Sequence, residues 1–501
     1  MKLPKVLGSV LLLSGSSFAL RAIGMGFRVY LSGKLGLDGL GLMQLISSLG
    51  GFASLLCTAG LSTALLRSCA ENPFSAKQWV RKAQLIAVPL GLTLAALLFF
   101  LAPFLCKALL RDARAVLPLR VLALSLPFIA SSSCTGGYFL ATGKIGKLTL
   151  AQFLEQGLRV AITAFFLEQS PKDASLELLT ACVFLGSTCG ELLSFLLHEL
   201  FVRLSPGERE PLPKSPYPAL WQIAGPIALA TLLQSGMHTA ENLLIPPMLA
   251  LSGEGSALAG YGLLHGMVLP VLFFPAALPA ALGTLRLPAV ARLHAQGDMQ
   301  RLRENVKLTL VSTMAFSMFA LAVFVSLASP LMLSLYRSAE AATLLLALAP
   351  ILPLLYLDSI ADALLKGIGR QKLCLYVEIA DSVLRLSLTL WLVPRLGLRG
   401  LILVISVSTL LTCLARVYAL LRACALRSNA LLAVTHASLP SIVSAAAACL
   451  AGLAAASLPD LPPLPKTILG LCCAGLAFGI FYAILSLFYR KRHEKAVYRF
   501  R

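Results

Sequence analysis

Charged residues are scarce in this chain. Only 13% of its 501 residues are Asp, Glu, Lys or Arg, whereas 58% are hydrophobic and the mean hydropathy is +0.85. Soluble domains are about half apolar and carry about twice this share of charge. Only helices and closed barrels satisfy their backbone hydrogen bonds in lipid, and the long apolar runs show no alternation. The sequence therefore predicts an all-α, polytopic membrane protein.

Long polar segments are also missing. The connections between apolar runs reach at most about 20 residues, which leaves no room for a soluble catalytic or nucleotide-binding domain. The segment from Gly137 resembles a phosphate loop, but Lys144 is followed by Ile145, where magnesium binding needs Ser or Thr. The 12 cysteines form no C-x-x-C pair, and most lie in apolar runs. We expect no cofactor, no metal site and no disulfide framework.

The basic residues give the chain a net charge of +20. They lie in short segments between apolar runs and not in one basic domain, so they indicate membrane topology and no nucleic-acid partner. The stretch from Met1 to Leu20 resembles a signal peptide, but the apolar run continues beyond it. We expect it to be the first span, uncleaved.

Breaks at charged and Gly/Pro-rich positions predict about 14 transmembrane helices. Alternate connections differ strongly in Lys and Arg content, which by the positive-inside rule predicts that both termini are cytoplasmic. The eighth span holds Pro270, Pro275 and Pro279, and we expect it to be bent or broken. The predicted spans are residues 6–31, 40–66, 83–106, 115–141, 147–168, 178–202, 219–249, 257–285, 308–335, 341–365, 373–394, 400–421, 432–456 and 467–489.

One part of the chain repeats another. The segment TGKIGKLTLAQFLEQGLRV, from Thr142, matches GIGRQKLCLYVEIADSVLRL, from Gly367. Gly143 aligns with Gly369, Glu155 with Asp381 and Arg159 with Arg385, all at one constant offset. Such a repeat is typical of transporters built from two bundles of helices.

The repeat divides the sequence into five parts. The prediction comprises an N-terminal six-helix lobe, a cytoplasmic linker, a C-terminal six-helix lobe, two additional helices and a basic cytoplasmic tail. Their limits are 1–204, 205–218, 219–428, 429–490 and 491–501.

Several segments resemble a known family. They are RAIGMGFRVYLSGKLGLDGLGLMQL from Arg21, ALLR from Ala64, LWQIAGPIALATLLQSGMHTAENLLIPPMLALSG from Leu220, YGLLHGMVLPVLFFPAALPAAL from Tyr261 and LLKGIGRQK from Leu364. They resemble the stage V sporulation protein B group of oligosaccharide flippases, within the multidrug/oligosaccharidyl-lipid/polysaccharide exporter superfamily. The resemblance implies two lobes in a MATE-like arrangement around a central cavity, alternating access, a lipid-linked sugar as cargo and no ATP site.

The resemblance also implies cationic cargo-binding residues in the first two spans. The R-x-x-G pattern of related lipid II flippases matches Arg21 and Gly24, and the arginine that closes their second helix matches Arg67. Arg28 follows Arg21 by seven residues, one position away from the spacing in those flippases. Seven residues are about two helical turns, so both arginines lie on one face and are candidates to hold a pyrophosphate. The alternative for Arg28 is that its side chain snorkels to the membrane interface.

Acidic residues within spans are the candidates for ion coupling or gating. Glu241 and His238 lie just before Pro246 and Pro247, which we expect to break the helix, and there a carboxylate and freed backbone groups are suited to bind Na⁺ or H⁺. A structural carboxylate is the alternative. The remaining candidates alternate with cations at helical spacing, which favours structural ion pairs. They are Asp358 and Asp362 beside Lys366, and Glu378 and Asp381 beside Arg385.

The sequence thus predicts a monomeric flippase in the bilayer of the cell membrane that carries a lipid-linked oligosaccharide or peptidoglycan precursor. The rivals are a cation antiporter for drugs, a membrane enzyme acting on lipid-linked sugars, and a non-transporting scaffold in spore-envelope assembly. Two arginines in the first span favour an anionic cargo over a cationic drug. Short outer connections with few acidic or His residues disfavour the enzyme. The charges retained within spans disfavour the scaffold.

Overall fold

The structure is a computed structural model. It describes residues 3–58, 60–71, 75–171, 173–205, 216–253, 255–425, 428–458 and 461–498. Within these ranges the regular structure is helical, and no strand is present. Contacts between Cα atoms divide the chain into two units, Met1–Gly262 and Leu263–Arg501. The first unit includes the helix that starts at Pro216. Most of the predicted linker, residues 206–215 of 205–218, lies outside the described residues, and the predicted division into lobes stays a prediction.

The described residues of the first unit form nine α-helices. A π-helix, Cys106–Leu110, and a 3-10 turn, Ala113–Ala115, join the third of them to the fourth. The helices are α1 Leu3–Thr58, α2 Leu61–Glu71, α3 Ala76–Leu105, α4 Val116–Ala123, α5 Leu126–Ala141, α6 Ile145–Gln169, α7 Leu176–Arg203, α8 Pro216–Ser252 and α9 Ala257–Gly262.

In the described part of the second unit, the chain forms eight more α-helices. They are α10 Leu269–Phe273, α11 Ala277–Ala295, α12 Met299–Tyr336, α13 Ala339–Leu348, α14 Leu352–Gly367, α15 Gln371–Ala423, α16 Ser428–Ala456 and α17 Pro463–Tyr498. The last two pack against each other and against α12.

Two helices are too long to cross a bilayer once. The 56 residues of α1 would extend about 84 Å, and a bilayer core is about 30 Å thick. Each of the two contains one glycine outside the helical region: Gly36 in α1, with φ 66°, and Gly397 in α15, with φ 54°. Both sit at predicted boundaries between spans, so α1 and α15 each correspond to two predicted spans.

The described residues hold ten helices that are long and apolar enough to cross a membrane, or eleven if the bent pair Ala113–Ala123 and Leu126–Ala141 is one span. The two glycine-broken helices each count once in that number, and α8 is not among the ten. The prediction of a polytopic all-α membrane protein is confirmed, but the number 14 is not.

The predicted irregularity of the eighth span is confirmed. After α9 the chain forms a π-helix, Leu263–Val268, then the short α10, and then a 3-10 turn, Phe274–Ala276. Pro270 lies in the first turn of α10 and Pro275 lies in the 3-10 turn. Because proline lacks a backbone N–H, each interrupts the regular α-helical ladder here.

Candidate functional site

The arginine face of α1 lies next to α6. Arg21 is exposed and Arg28 is half-buried, both before the break at Gly36. Gly24 lies on the same face, three residues after Arg21 and four before Arg28. A Cβ atom on Gly24 would stand 4.0 Å from Nε2 of Gln156, which is on α6. This face, defined by Arg21, Gly24 and Arg28, is called the α1 arginine face below.

Arg21 has no hydrogen bond or ion pair to any residue that the structure describes. An ionised guanidinium in a membrane span is costly unless a partner or water meets it. An anionic ligand can therefore bind this group without first displacing an internal carboxylate.

Arg67 lies in α2, which packs against α3, α5 and α8. Its Nε donates to Oε1 of Glu71 at 2.9 Å, and the two side chains are 66% and 61% exposed. Exposed ion pairs of this kind contribute about 0–1 kcal/mol, so the pair is easily exchanged for another partner. The sequence prediction that Arg67 binds cargo stays a prediction.

A further arginine, Arg159 of α6, was missed as a site residue from sequence. Arg159 follows Gln156 by three residues and its Nη2 donates to Glu155 at 2.7 Å and to Glu191 of α7 at 3.4 Å. The sequence indicated no partner for Glu191. One feature of the sequence could have indicated the contact between α6 and α7: Gly186 and Gly190 are four residues apart, and small residues at this spacing mark close helix packing in membranes. A Cβ on Gly190 would lie 3.0 Å from the carbonyl oxygen of Glu155.

Glu241 is buried in α8, with 3% of its surface exposed. His238 is one turn earlier, and its Nδ1 lies 4.0 Å from Oε2 of Glu241. The next residue of the helix, Asn242, donates from Nδ2 to Oγ of Ser48 in α1 at 3.0 Å. This contact ties the part of α8 that carries Glu241 to the part of α1 that follows Gly36.

The expected helix break after Glu241 is absent. The helix α8 runs without interruption through Pro246 and Pro247 to Ser252. Each proline removes only its own N–H, which leaves the carbonyls of Asn242 and Leu243 without their usual i+4 donors while the helix continues. Two carbonyls that lack their usual helical donors therefore directly follow Glu241 in the chain, although the helix is unbroken.

The acidic candidates of the second unit surround one arginine that the sequence did not single out. Arg416 of α15 is 7% exposed. Its Nη1 donates to Oδ2 of Asp358 at 2.6 Å, and its Nε lies 3.7 Å from Oδ1 of Asp362. Its Nη2 lies 4.0 Å from Oε1 of Glu378. We call Arg416 and these three carboxylates the Arg416 cluster.

Two further contacts lie beside the Arg416 cluster. Lys366 pairs with Oδ2 of Asp362 at 2.6 Å, which confirms that predicted i,i+4 pair. Asp381 accepts a hydrogen bond of 2.5 Å from Oγ of Ser408. Asp358 and Asp362 are thus neutralised by cations, Glu378 lies at the edge of the Arg416 cluster, and Asp381 accepts from a neutral hydroxyl.

Two family models match the sequence in separate parts. The model described as "Polysaccharide biosynthesis protein" matches residues 6–203, and the MatE model matches residues 226–391. Among characterised proteins, stage V sporulation protein B of Bacillus subtilis (strain 168) is 26% identical over 421 residues, which are 79% of this chain and 79% of that protein. Sporulation protein YkvU of the same organism is 21% identical over 269 residues, 52% of this chain and 60% of that protein.

Solved structures show the same fold. The lipid II flippase MurJ, in an inward closed conformation, superposes with a TM-score of 0.73 at 15% identity, covering 96% of this chain and 99% of that one. An inward-facing multidrug resistance transporter of the MATE family gives a TM-score of 0.64 at 16% identity, covering 81% of this chain and 95% of that one. The chain is therefore a homologue of stage V sporulation protein B, and it shares the fold of the lipid II flippase MurJ and of a MATE-family transporter.

Proposed function

We propose that this protein carries a lipid-linked saccharide or peptidoglycan precursor with an anionic headgroup from the inner to the outer leaflet of the cell membrane. It works as a monomer with both termini in the cytoplasm, and its role is transport and not catalysis. The observation that supports this most directly is Arg21, an exposed intramembrane cation with no bonded partner among the described residues. Its helical neighbour Gly24 adjoins Gln156, so the α1 arginine face is bordered by a polar residue of α6.

The chemistry of the cargo follows from the charges on that face. Two guanidinium groups seven residues apart suit a pyrophosphate, because a guanidinium donates two parallel hydrogen bonds to adjacent phosphate oxygens. The same two charges repel a cationic drug, which disfavours the multidrug antiporter as the alternative. A role in spore-envelope or cell-wall synthesis agrees with the name of the sporulation relative.

Directed transport needs a coupling group, and two sites are proposed for Na⁺ or H⁺. Glu241 is buried beside His238 and the free carbonyls before the two prolines, which gives a cation several oxygen ligands. Glu378 and Asp381 form the second proposed site, where Glu378 lies 4.0 Å from Nη2 of Arg416 and Asp381 accepts a hydrogen bond from the neutral hydroxyl of Ser408. We assign Asp358 and Asp362 a structural role, because Arg416 and Lys366 already bind them.

Translocation of a labelled undecaprenyl-pyrophosphate-linked precursor in proteoliposomes tests the proposal. Arg21→Ala should lower the rate about tenfold or more, since a charge-assisted hydrogen bond to phosphate contributes about 1.5–3 kcal/mol. Arg21→Lys should recover part of the rate, because lysine keeps the charge but loses the bidentate geometry. Arg301→Ala, which removes a surface arginine that is 76% exposed, is the matched control and should leave the rate unchanged.

Wild-type protein that folds but moves none of the polyprenyl-linked cargoes would refute the flippase. Export of cationic dyes by the same preparation would then support the drug antiporter, and inactivity toward both would support the scaffold. Equal rates for wild type and Arg21→Ala would refute the role of the α1 arginine face.

A further inference from the structure

A cavity of about 540 Å³ opens in the second unit. It lies where the end of α14 meets both the beginning and the end of α15. Its volume is within the range of pockets that bind small ligands, about 300–1,000 Å³.

The floor of the cavity is apolar and fixed. Leu365 of α14 is fully buried in an apolar cluster, and Leu373 and Ala419 of α15 pack against the same cluster. Ala415, one turn before Ala419, is an exposed part of the lining. Such a surface favours hydrocarbon and not a fully hydrated ion.

The rim carries two arginines. Arg370 and Arg422 both line the cavity, and neither side chain makes a hydrogen bond or an ion pair with a residue in the part of the chain that the structure describes. The backbone of Arg370 is held firmly: its N–H donates to the carbonyl of Leu365 at 2.9 Å, and its carbonyl accepts from the N–H of Leu373 at 3.1 Å. The backbone of Arg370 is therefore anchored at the cavity, at the positive end of the α15 dipole.

The repeat within the sequence supplies an internal comparison. Arg370 corresponds to Lys144, which follows Gly143 just as Arg370 follows Gly369, and both glycines have positive φ, 67° and 82°. Nζ of Lys144 donates to the hydroxyl of Tyr138 at 2.7 Å and also lies over its ring. The cation of the first unit is thus bound by its own chain, whereas the corresponding cation of the second unit is available to a ligand.

The surroundings indicate a ligand from the membrane. Tyr418 lines the cavity one turn before Arg422 and is 65% exposed, as is typical of tyrosines at the interface between lipid and water. The connections that hold Arg370 and Arg422 belong to the set that charge counting predicts to be cytoplasmic. Basic pockets between helices on this side of a membrane suit anionic lipid headgroups.

We propose that this cavity binds an anionic phospholipid of the cytoplasmic leaflet. Its phosphate accepts hydrogen bonds from Arg370 and Arg422, and the beginning of an acyl chain lies on Leu365, Leu373 and Ala419. This lipid is a bound partner and not the transported cargo, because the site lies among α14 and α15 and the cargo is assigned to the α1 arginine face.

Native mass spectrometry of the full chain in detergent tests the proposal, with dioleoylphosphatidylglycerol as the anionic probe and dioleoylphosphatidylcholine as the zwitterionic one. Wild type should bind the anionic lipid more tightly. The double variant Arg370→Gln/Arg422→Gln should weaken that binding about 30-fold, which is about fivefold for each arginine near a lipid surface. Ala415→Trp fills the cavity without changing charge and should also weaken it.

Arg395→Gln/Arg399→Gln is the matched control, because it removes the same charge from exposed positions beside Gly397 on the same helix. It should leave binding unchanged. The proposal is wrong if this control lowers the affinity as much as the test variant, if both lipids bind wild type equally, or if Ala415→Trp has no effect. Displacement of the lipid by excess inorganic phosphate would show an ion site and overturn the lipid assignment.

The outcome is separable from that of the transport assay. Arg21→Ala should retain the affinity for phosphatidylglycerol even where translocation is lost, since Arg21 does not line the cavity. Loss of lipid binding in Arg21→Ala would contradict two separate sites.

Discussion

Replacing Arg416 with methionine tests the Arg416 cluster most directly. The guanidinium is 7% exposed and donates to Asp358 at 2.6 Å, with Asp362 and Glu378 at 3.7 and 4.0 Å. Removing one partner of a buried ion pair costs about 3–5 kcal/mol, because the remaining charge stays buried without compensation. Lys366 still neutralises Asp362 in the variant, so Asp358 is the main group left unpaired. We therefore expect a loss of about 3 kcal/mol in the free energy of unfolding, at the lower end of that range.

A compensating substitution distinguishes this mechanism from loss of packing. The double variant Arg416→Met/Asp358→Asn has no unpaired carboxylate at position 358, so it should regain at least half of the lost free energy of unfolding. The control Arg395→Met removes an exposed guanidinium that stacks on Trp391 at 5.1 Å, and it should cost less than about 1 kcal/mol. Reversible unfolding in sodium dodecyl sulfate, followed by circular dichroism, measures all three variants. A loss below about 1 kcal/mol for Arg416→Met, or a double variant less stable than the single one, would refute the electrostatic reasoning.

Two further predictions concern the first unit. Gly190→Leu should destabilise the protein by about 1–3 kcal/mol in the same unfolding assay, because its Cβ would approach the Glu155 carbonyl to 3.0 Å and push α7 from α6. The control is Gly157→Leu, which should cost less, because nothing lies within 4 Å of the added Cβ. Equal losses in the two variants would contradict the packing argument. Arg67→Ala breaks a pair in which both side chains are more than half exposed, so stability should change by less than about 1 kcal/mol. If Arg67 binds cargo, the translocation rate of that variant falls while its stability is retained. An unchanged rate would show that Arg67 does not bind cargo.

Contacts that are local in sequence could be predicted, and those made by tertiary packing could not. The i,i+4 rule placed Lys366 beside Asp362, and the structure confirms that pair at 2.6 Å. Arg416 lies 58 residues from Asp358, so no spacing rule connects them. The same holds for Arg159 and Glu191, which are 32 residues apart and meet only because two glycines let α6 and α7 approach closely.

The helices themselves follow from hydropathy, but their boundaries depend on conformation at single residues. The charges and glycines around Gly36 predicted a connection between two spans, yet all but that one residue keep helical geometry. In α8 the prolines Pro246 and Pro247 predicted a break, but the helix continues through both. A proline removes one donor and leaves the rest of the ladder intact, whereas a glycine with positive φ redirects the chain.

The single-residue breaks at Gly36 and Gly397 leave the paired spans of α1 and α15 without spare chain length. Insertions are tolerated where exposed loop tips have slack, and here any added segment must unwind helix on one side or the other. Epitope tags and reporter domains used to map topology should therefore disrupt the protein at these two glycines. The connection around Gly297, which ends α11 in a turn before α12, offers a better position.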